Sequence, residues 1–110
     1  MKKLDRGQHY IAEWRKYRNL SLRKLADRLA VSAGGDLLLS HTSLSRIEKG
    51  EQPFTEESLN AIAVALNVDR VQLLSTDPYK DGEIIDILRK LDGRDRARII
   101  DMMRLMAKTA

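Results

Sequence analysis

The chain has 110 residues, 43% hydrophobic and 33% charged, with 5% aromatic residues and a net charge of +4. That length holds one domain with a modest core and leaves room for a small appendage, and the low aromatic content argues against a β-sandwich. The absence of cysteine excludes a disulfide framework and a thiolate metal site. With no apolar run near the ~18 residues a membrane span needs, neither export nor membrane insertion is expected and the cytoplasm is the natural compartment.

Charge is unevenly placed. Residues 1–50 carry eleven Lys/Arg against five Asp/Glu, and residues 51–110 carry nine against eleven. A basic half joined to a slightly acidic half predicts that the first half faces a polyanion. Leu, Ala, Arg, Lys and Glu dominate and only two prolines interrupt the chain, which predicts an all-α protein.

Residues 1–7 read as a short polar arm. The first helix is expected over 8–18, with Ile11, Trp14 and Arg15 on one face. Trp14 on that face reads as core packing, not base stacking. Ser21 suits the N-cap of a second helix carrying Leu22, Leu25, Ala26 and Leu29 at helical spacing. Residues 31–36 break the pattern, because adjacent Gly34 and Gly35 favour a loop. Residues 36–39 either belong to that loop or prolong the next helix backwards.

Ser40 caps a third helix over 41–49 with Leu44 and Ile47 inward and Gly50 as its stop. Thr55 caps a fourth helix with a stripe of Leu59, Ile62, Ala63 and Leu66, and residues 70–75 form a short fifth helix. Residues 76–78 close the domain. A two-helix tail follows, 83–91 and 94–108, broken at Gly93. The organisation expected is a domain at 8–76 and a helical extension at 79–110.

The third helix carries the function. With Leu44 and Ile47 anchored, His41, Thr42, Ser43, Ser45 and Arg46 point outward, all hydrogen-bonding residues beside the positive helix N-terminus. Such a face suits a major groove, where short donors and acceptors read base edges. Arg46 is the leading candidate, since a guanidinium binds the O6/N7 edge of guanine through two bonds. On helix two, Arg23, Lys24 and Arg28 either contact phosphate or only solubilise the surface. His41 and His9 stand on separate elements and make no metal site.

Trp14-Arg15, Leu20-Ser21, Leu25-Ala26, the run from Ser40 to Gly50 followed by Pro53, and the stretch from Leu59 to Val68 resemble the lambda-repressor/Cro-like helix-turn-helix regulators, also called the xenobiotic-response-element family. The resemblance covers about residues 8–75 and implies a five-helix lambda-repressor-like DNA-binding domain, here with the two-helix C-terminal extension. It implies that His41, Thr42 and Arg46 read bases, with Ser43 and Ser45 touching base or phosphate. It places Ser21 and Ser40 at caps near phosphates and Lys49-Gly50 at a turn against the sugar-phosphate chain. It makes Arg15 and Glu48 a structural ion pair. Two departures stand out: about eight extra residues between helices two and three, and Leu22 where many relatives carry a phosphate-binding glutamine, a role Arg23 is placed to take over.

In the tail, Ile99, Ile100, Met102, Met103, Leu105 and Met106 span roughly 220° of a helical wheel, wider than the ~100° stripe of a helix packed on one side. Burial on two sides is expected, against the chain's own domain and against another chain, giving a homodimer; the alternative is a monomer whose tail folds over its own core. No nucleophile–base set, glycine-rich phosphate loop or metal-ligand spacing appears, so neither an enzyme nor a cofactor is expected. The expected function is a sequence-specific regulator, a repressor occupying an operator on double-stranded DNA. The alternative is an antitoxin-like protein of the same fold that binds a protein partner and represses its own operon.

Overall fold

The computed structural model describes residues 9–32 and 39–109. Among them every regular element is a helix: α1 Ile11–Tyr17, α2 Leu22–Ser32, α3 His41–Lys49, α4 Glu56–Leu66, α5 Arg70–Ser75, α6 Pro78–Lys90 and α7 Gly93–Thr109. None of these helices is long and apolar enough to cross a membrane.

The core is a single cluster drawn from α1 to α5. Leu25, Ala26 and Leu29 place α2 at its centre, where Leu44 and Ile47 of α3 and Ile62, Ala63 and Leu66 of α4 pack around it. Ala26 is 5% exposed, and its small side chain lets the neighbouring helices approach closely. Trp14 is fully buried, and its indole N–H donates to the carbonyls of Gln72 (3.1 Å) and Thr76 (3.0 Å). One aromatic side chain thus fixes α1 to α5 through packing and a satisfied polar edge.

Helix ends follow local chemistry. Ser40, in extended conformation, accepts from the Ser43 N–H, and Gly50 at φ 79° closes α3 in the left-handed region. Thr55 and Ser58 form a reciprocal capping box on α4, and left-handed Asn67 ends it.

Several boundaries differ from expectation. The first helix begins at Ile11, because the Tyr10 backbone is non-helical and its N–H bonds the Leu73 carbonyl at 2.6 Å. Helix α2 runs through Val31 and Ser32, so the break falls later than residue 31. The Gly34-Gly35 loop lies outside the described residues, as does most of the segment 36–39. A backward extension of α3 is overturned at Leu39 and Ser40, where the backbone bends and then extends.

The tail differs more. Helix α6 starts at Pro78, not residue 83: Asp77 accepts from the Tyr79 N–H, and proline occupies the first turn, where it lacks nothing the helix needs. Gly82 therefore sits inside the helix, and a Cβ built there would lie 2.9 Å from the Tyr17 ring. The second break comes at Leu91 and Asp92, whose carboxylate accepts from the Asp95 N–H at 2.8 Å, and Gly93 is the first residue of α7. Helix α6 packs on α1, whereas α7 has no extended packing with any other helix. Its Met102, Leu105 and Met106 are 57%, 63% and 66% exposed. The expected burial of α7 against its own domain is thus largely overturned: Ile99 and Ile100 are half-buried, and the tail packs back mainly through α6.

Candidate nucleic-acid interface

Helix α3 presents two sharply different faces. Leu44, Ile47 and Glu48 are buried, while His41, Thr42, Arg46 and Lys49 are exposed and Ser43 and Ser45 are half-buried. Glu48 is the one acidic residue of the helix, and it turns inward. Its two carboxylate oxygens accept from Arg15 Nε (2.6 Å) and Nη2 (3.0 Å). Arg15 Nη1 also donates to the Leu20 carbonyl at 2.8 Å, so one guanidinium joins α1, the turn before α2 and the last turn of α3.

With Glu48 neutralised inside, the outer surface of α3 is composed of neutral hydrogen-bonding groups and cations. Beside it, Ser21 accepts from the Lys24 N–H at 3.1 Å, and Ser21, Arg23 and Lys24 are exposed at the first turn of α2. Among the described residues, the side chains of Arg23, Lys24, Arg46 and Lys49 have no hydrogen-bond or ion-pair partner. Four uncommitted cations on one pair of helices suit a polyanion. Arg28 differs: its guanidinium donates to the Ala65 carbonyl at 3.1 Å and caps the end of α4. Leu22 is half-buried against the core, which explains an apolar residue at that position.

The far end of α3 is held from a second side. His9, 5% exposed, has Nε2 at 3.2 Å from the Ile47 carbonyl and Nδ1 at 3.4 Å from the Ile11 N–H. Both contacts are satisfied together when the ring carries its proton on Nε2, and the ring stands edge-on to Phe54. Sequence reasoning placed His9 on a separate element and missed this contact with α3. The only local signal was its position two residues before the first helical N–H.

A family model for a helix-turn-helix domain matches residues 9–75, the span of α1 to α5. No curated protein and no solved structure gives a significant match. An inward ion pair, a capped α3 with a polar cationic outer face, and that match over more than half of the chain agree: the chain belongs to the helix-turn-helix family of DNA-binding domains.

Proposed function

We propose that this protein is a sequence-specific transcriptional regulator of the lambda-repressor/Cro-like kind, a repressor that occupies an operator as a homodimer in the cytoplasm. The single observation that carries this reading is the outer face of α3. His41, Thr42 and Arg46 are exposed there and the helix's only carboxylate is turned inward. In this reading those three residues contact base edges, helped by Ser43 and Ser45. Ser21, Arg23, Lys24, Ser40, Lys49 and the Gly50 backbone meet phosphate. Arg15 and Glu48 hold the helix in place. The protein works by binding, without catalysis, a metal or a cofactor.

In the same reading, residues 8–76 form the reading head and 79–110 the assembly arm. Ile84 and Ile87 of α6 are about half exposed, and α7 adds its Met and Leu side chains. Residues 84, 87 and 91 and residues 99, 102 and 106 repeat at helical spacing, the pattern of helices that bury a seam against partners. A second copy supplies matching helices, and a two-fold dimer reads an inverted repeat. The exposed α7 surface also supports a second reading, in which a different protein docks there and the chain is antitoxin-like.

Selection of bound duplexes from a random DNA pool tests the reading. An enriched inverted repeat is expected, with affinity falling steeply as salt rises. A pool that remains random after repeated selection contradicts it. Co-purification of a stoichiometric small protein with an otherwise monomeric chain favours the second reading.

A further inference from the structure

Two arginines, Arg15 in the last turn of α1 and Arg18 at its C-cap, hold different neighbours. Arg15 forks onto Glu48 of α3, and Arg18 forks onto Asp86 of α6 through bonds of 2.7 and 2.9 Å. Arg18 also donates from Nε to the Leu66 carbonyl (2.7 Å) and from Nη2 to the Asn67 carbonyl (3.2 Å), groups left at the end of α4 by left-handed Asn67. Its guanidinium lies 5.1 Å from the Trp14 ring centre and 5.6 Å from that of Tyr17.

Elsewhere α6 meets the head through Tyr79, edge-on to Tyr17 at 5.6 Å, and through Arg89, which donates to the Asn67 carbonyl at 3.2 Å and pairs with Asp69 at 3.5 Å in a more exposed setting. Pro78 and Gly82 are the buried residues of α6, with Ile85 partly covered. The single-point, more solvent-screened Arg89 pair restrains distance, whereas the planar, less exposed Arg18–Asp86 fork fixes direction as well as distance. At its other end, α6 is tied to α7 by the bond from Arg96 Nη1 to the Leu88 carbonyl, 2.8 Å. Ties therefore run from the inner side of α3 through Glu48 and Arg15 to α1, from Arg18 to Asp86 of α6, and from Leu88 of α6 to Arg96 of α7.

We infer that Arg18 and Asp86 form a positioning pair that sets the angle between reading head and assembly arm, and thereby the half-site spacing the dimer accepts, a role that rests on the homodimer reading above. The lever is adequate. Helix α6 has 13 residues, about 20 Å at ~1.5 Å per residue. A tilt of about 10° over that length displaces a reading head by roughly 3.5 Å, about one base-pair step of ~3.4 Å. Two-fold symmetry repeats the displacement at the second head. Losing the fork lets the arm sample such tilts and blurs the preferred spacing.

The test uses the full chain as wild type, Asp86→Asn and Asp86→Glu, on the duplex that wild type selects. Binding is measured to a single half-site and to inverted repeats whose spacer varies from zero to about six base pairs. Wild type is expected to prefer one spacing by roughly tenfold or more. Asp86→Asn is expected to bind the single half-site within about twofold of wild type while its spacing preference falls below about threefold. Asp86→Glu keeps the fork and retains one preferred spacing. Unchanged spacing preference in Asp86→Asn overturns the assignment. So does an equal loss on half-site and full site, which would mean that the pair only supports the fold. A wild type that is monomeric in sedimentation, or indifferent to spacing, overturns it by removing the homodimer; a dimeric wild type with a spacing preference that Asp86→Asn shares removes the positioning role alone.

Discussion

Arg15 and Glu48, 33 residues apart in the chain, meet through two parallel bonds of 2.6 and 3.0 Å with side chains only 11% and 8% exposed. The pair takes the one negative charge of α3 out of the candidate DNA surface and clamps the helix's last turn to α1. Removing one partner strands the other as a buried charge, which typically costs ~3–5 kcal/mol, whereas replacing both by apolar groups is often near neutral. Glu48→Ala should therefore lower the unfolding free energy in urea by about 3 kcal/mol or more. The double change Arg15→Met with Glu48→Leu should recover most of that. A loss below about 1 kcal/mol for Glu48→Ala would mark the pair as solvent-screened.

The Arg18–Asp86 fork gives a pH dependence of known sign. The hydrogen bond from Arg18 is the largest influence and lowers the Asp86 pKa below its ordinary 3.8; burial opposes this, and the charges of Arg18, Lys90 and Arg89 add to the lowering. A carboxyl depressed in the folded state contributes stability above its unfolded pKa and loses it as pH falls through the folded value. The contribution is thus constant through neutral pH and disappears only below about pH 4. Asp86→Asn should be less stable than wild type at pH 7, with the difference shrinking as pH drops toward 3. Parallel melting curves for the two proteins over that range would count against the pairing.

Gly82→Ala sets two effects against each other. Alanine inside a helix is favoured over glycine by ~1 kcal/mol. The added Cβ would stand 2.9 Å from Tyr17 Cζ, and the Tyr17 ring is braced edge-on by Trp14 and Tyr79 at 5.7 and 5.6 Å. Overpacking of a braced site costs typically ~1–3 kcal/mol, so the net expectation is weaker α6 docking. Loss of near-ultraviolet circular dichroism from the Trp and Tyr side chains, with helicity kept, is the expected signature. A raised melting temperature with an intact aromatic signal would show that Tyr17 yields freely.

Assembly through α7 is open to a direct charge test. Met102 and Leu105 are 57% and 63% exposed in the single chain. Met102→Glu with Leu105→Glu should leave the folded monomer's stability within about 0.5 kcal/mol, as expected of exposed positions. Sedimentation equilibrium should then show a dimer in wild type and a monomer in the double variant. A double variant that remains dimeric places the interface elsewhere.

Much of the fold was written in short-range chemistry. Ser40 and Gly50 bracket α3, Thr55 starts α4, and the spacing of Leu25, Ala26 and Leu29 marks the inner face of α2. Trp14 reads as core from its helical face, and it is fully buried. Of the long-range pairings, only Arg15–Glu48 was foreseen, through the family resemblance. Nothing near Arg18 indicates a carboxylate 68 residues on, and nothing near His9 points to a carbonyl 38 residues away. The start of α6 was present locally as Asp77-Pro78, but a proline after a turn also reads as a stop, so the helix was expected only from residue 83, and the packing of Gly82 on Tyr17 was not foreseen. The width of the α7 apolar band was visible, yet its lack of packing on the rest of the chain depends on tertiary geometry. The base-reading roles rest on resemblance joined to the exposure of α3; helical spacing alone separates inner from outer residues without saying what the outer ones touch.

The central claim is that the exposed side of α3 reads base edges, and Arg46→Ala examines it most directly. Binding of wild type and variant is compared on the selected duplex and on a random duplex at one salt concentration. A lost two-bond contact to a base should weaken specific binding by ~1–3 kcal/mol while leaving random-duplex binding nearly unchanged. Equal losses on both duplexes, or none on either, would contradict base reading by this helix.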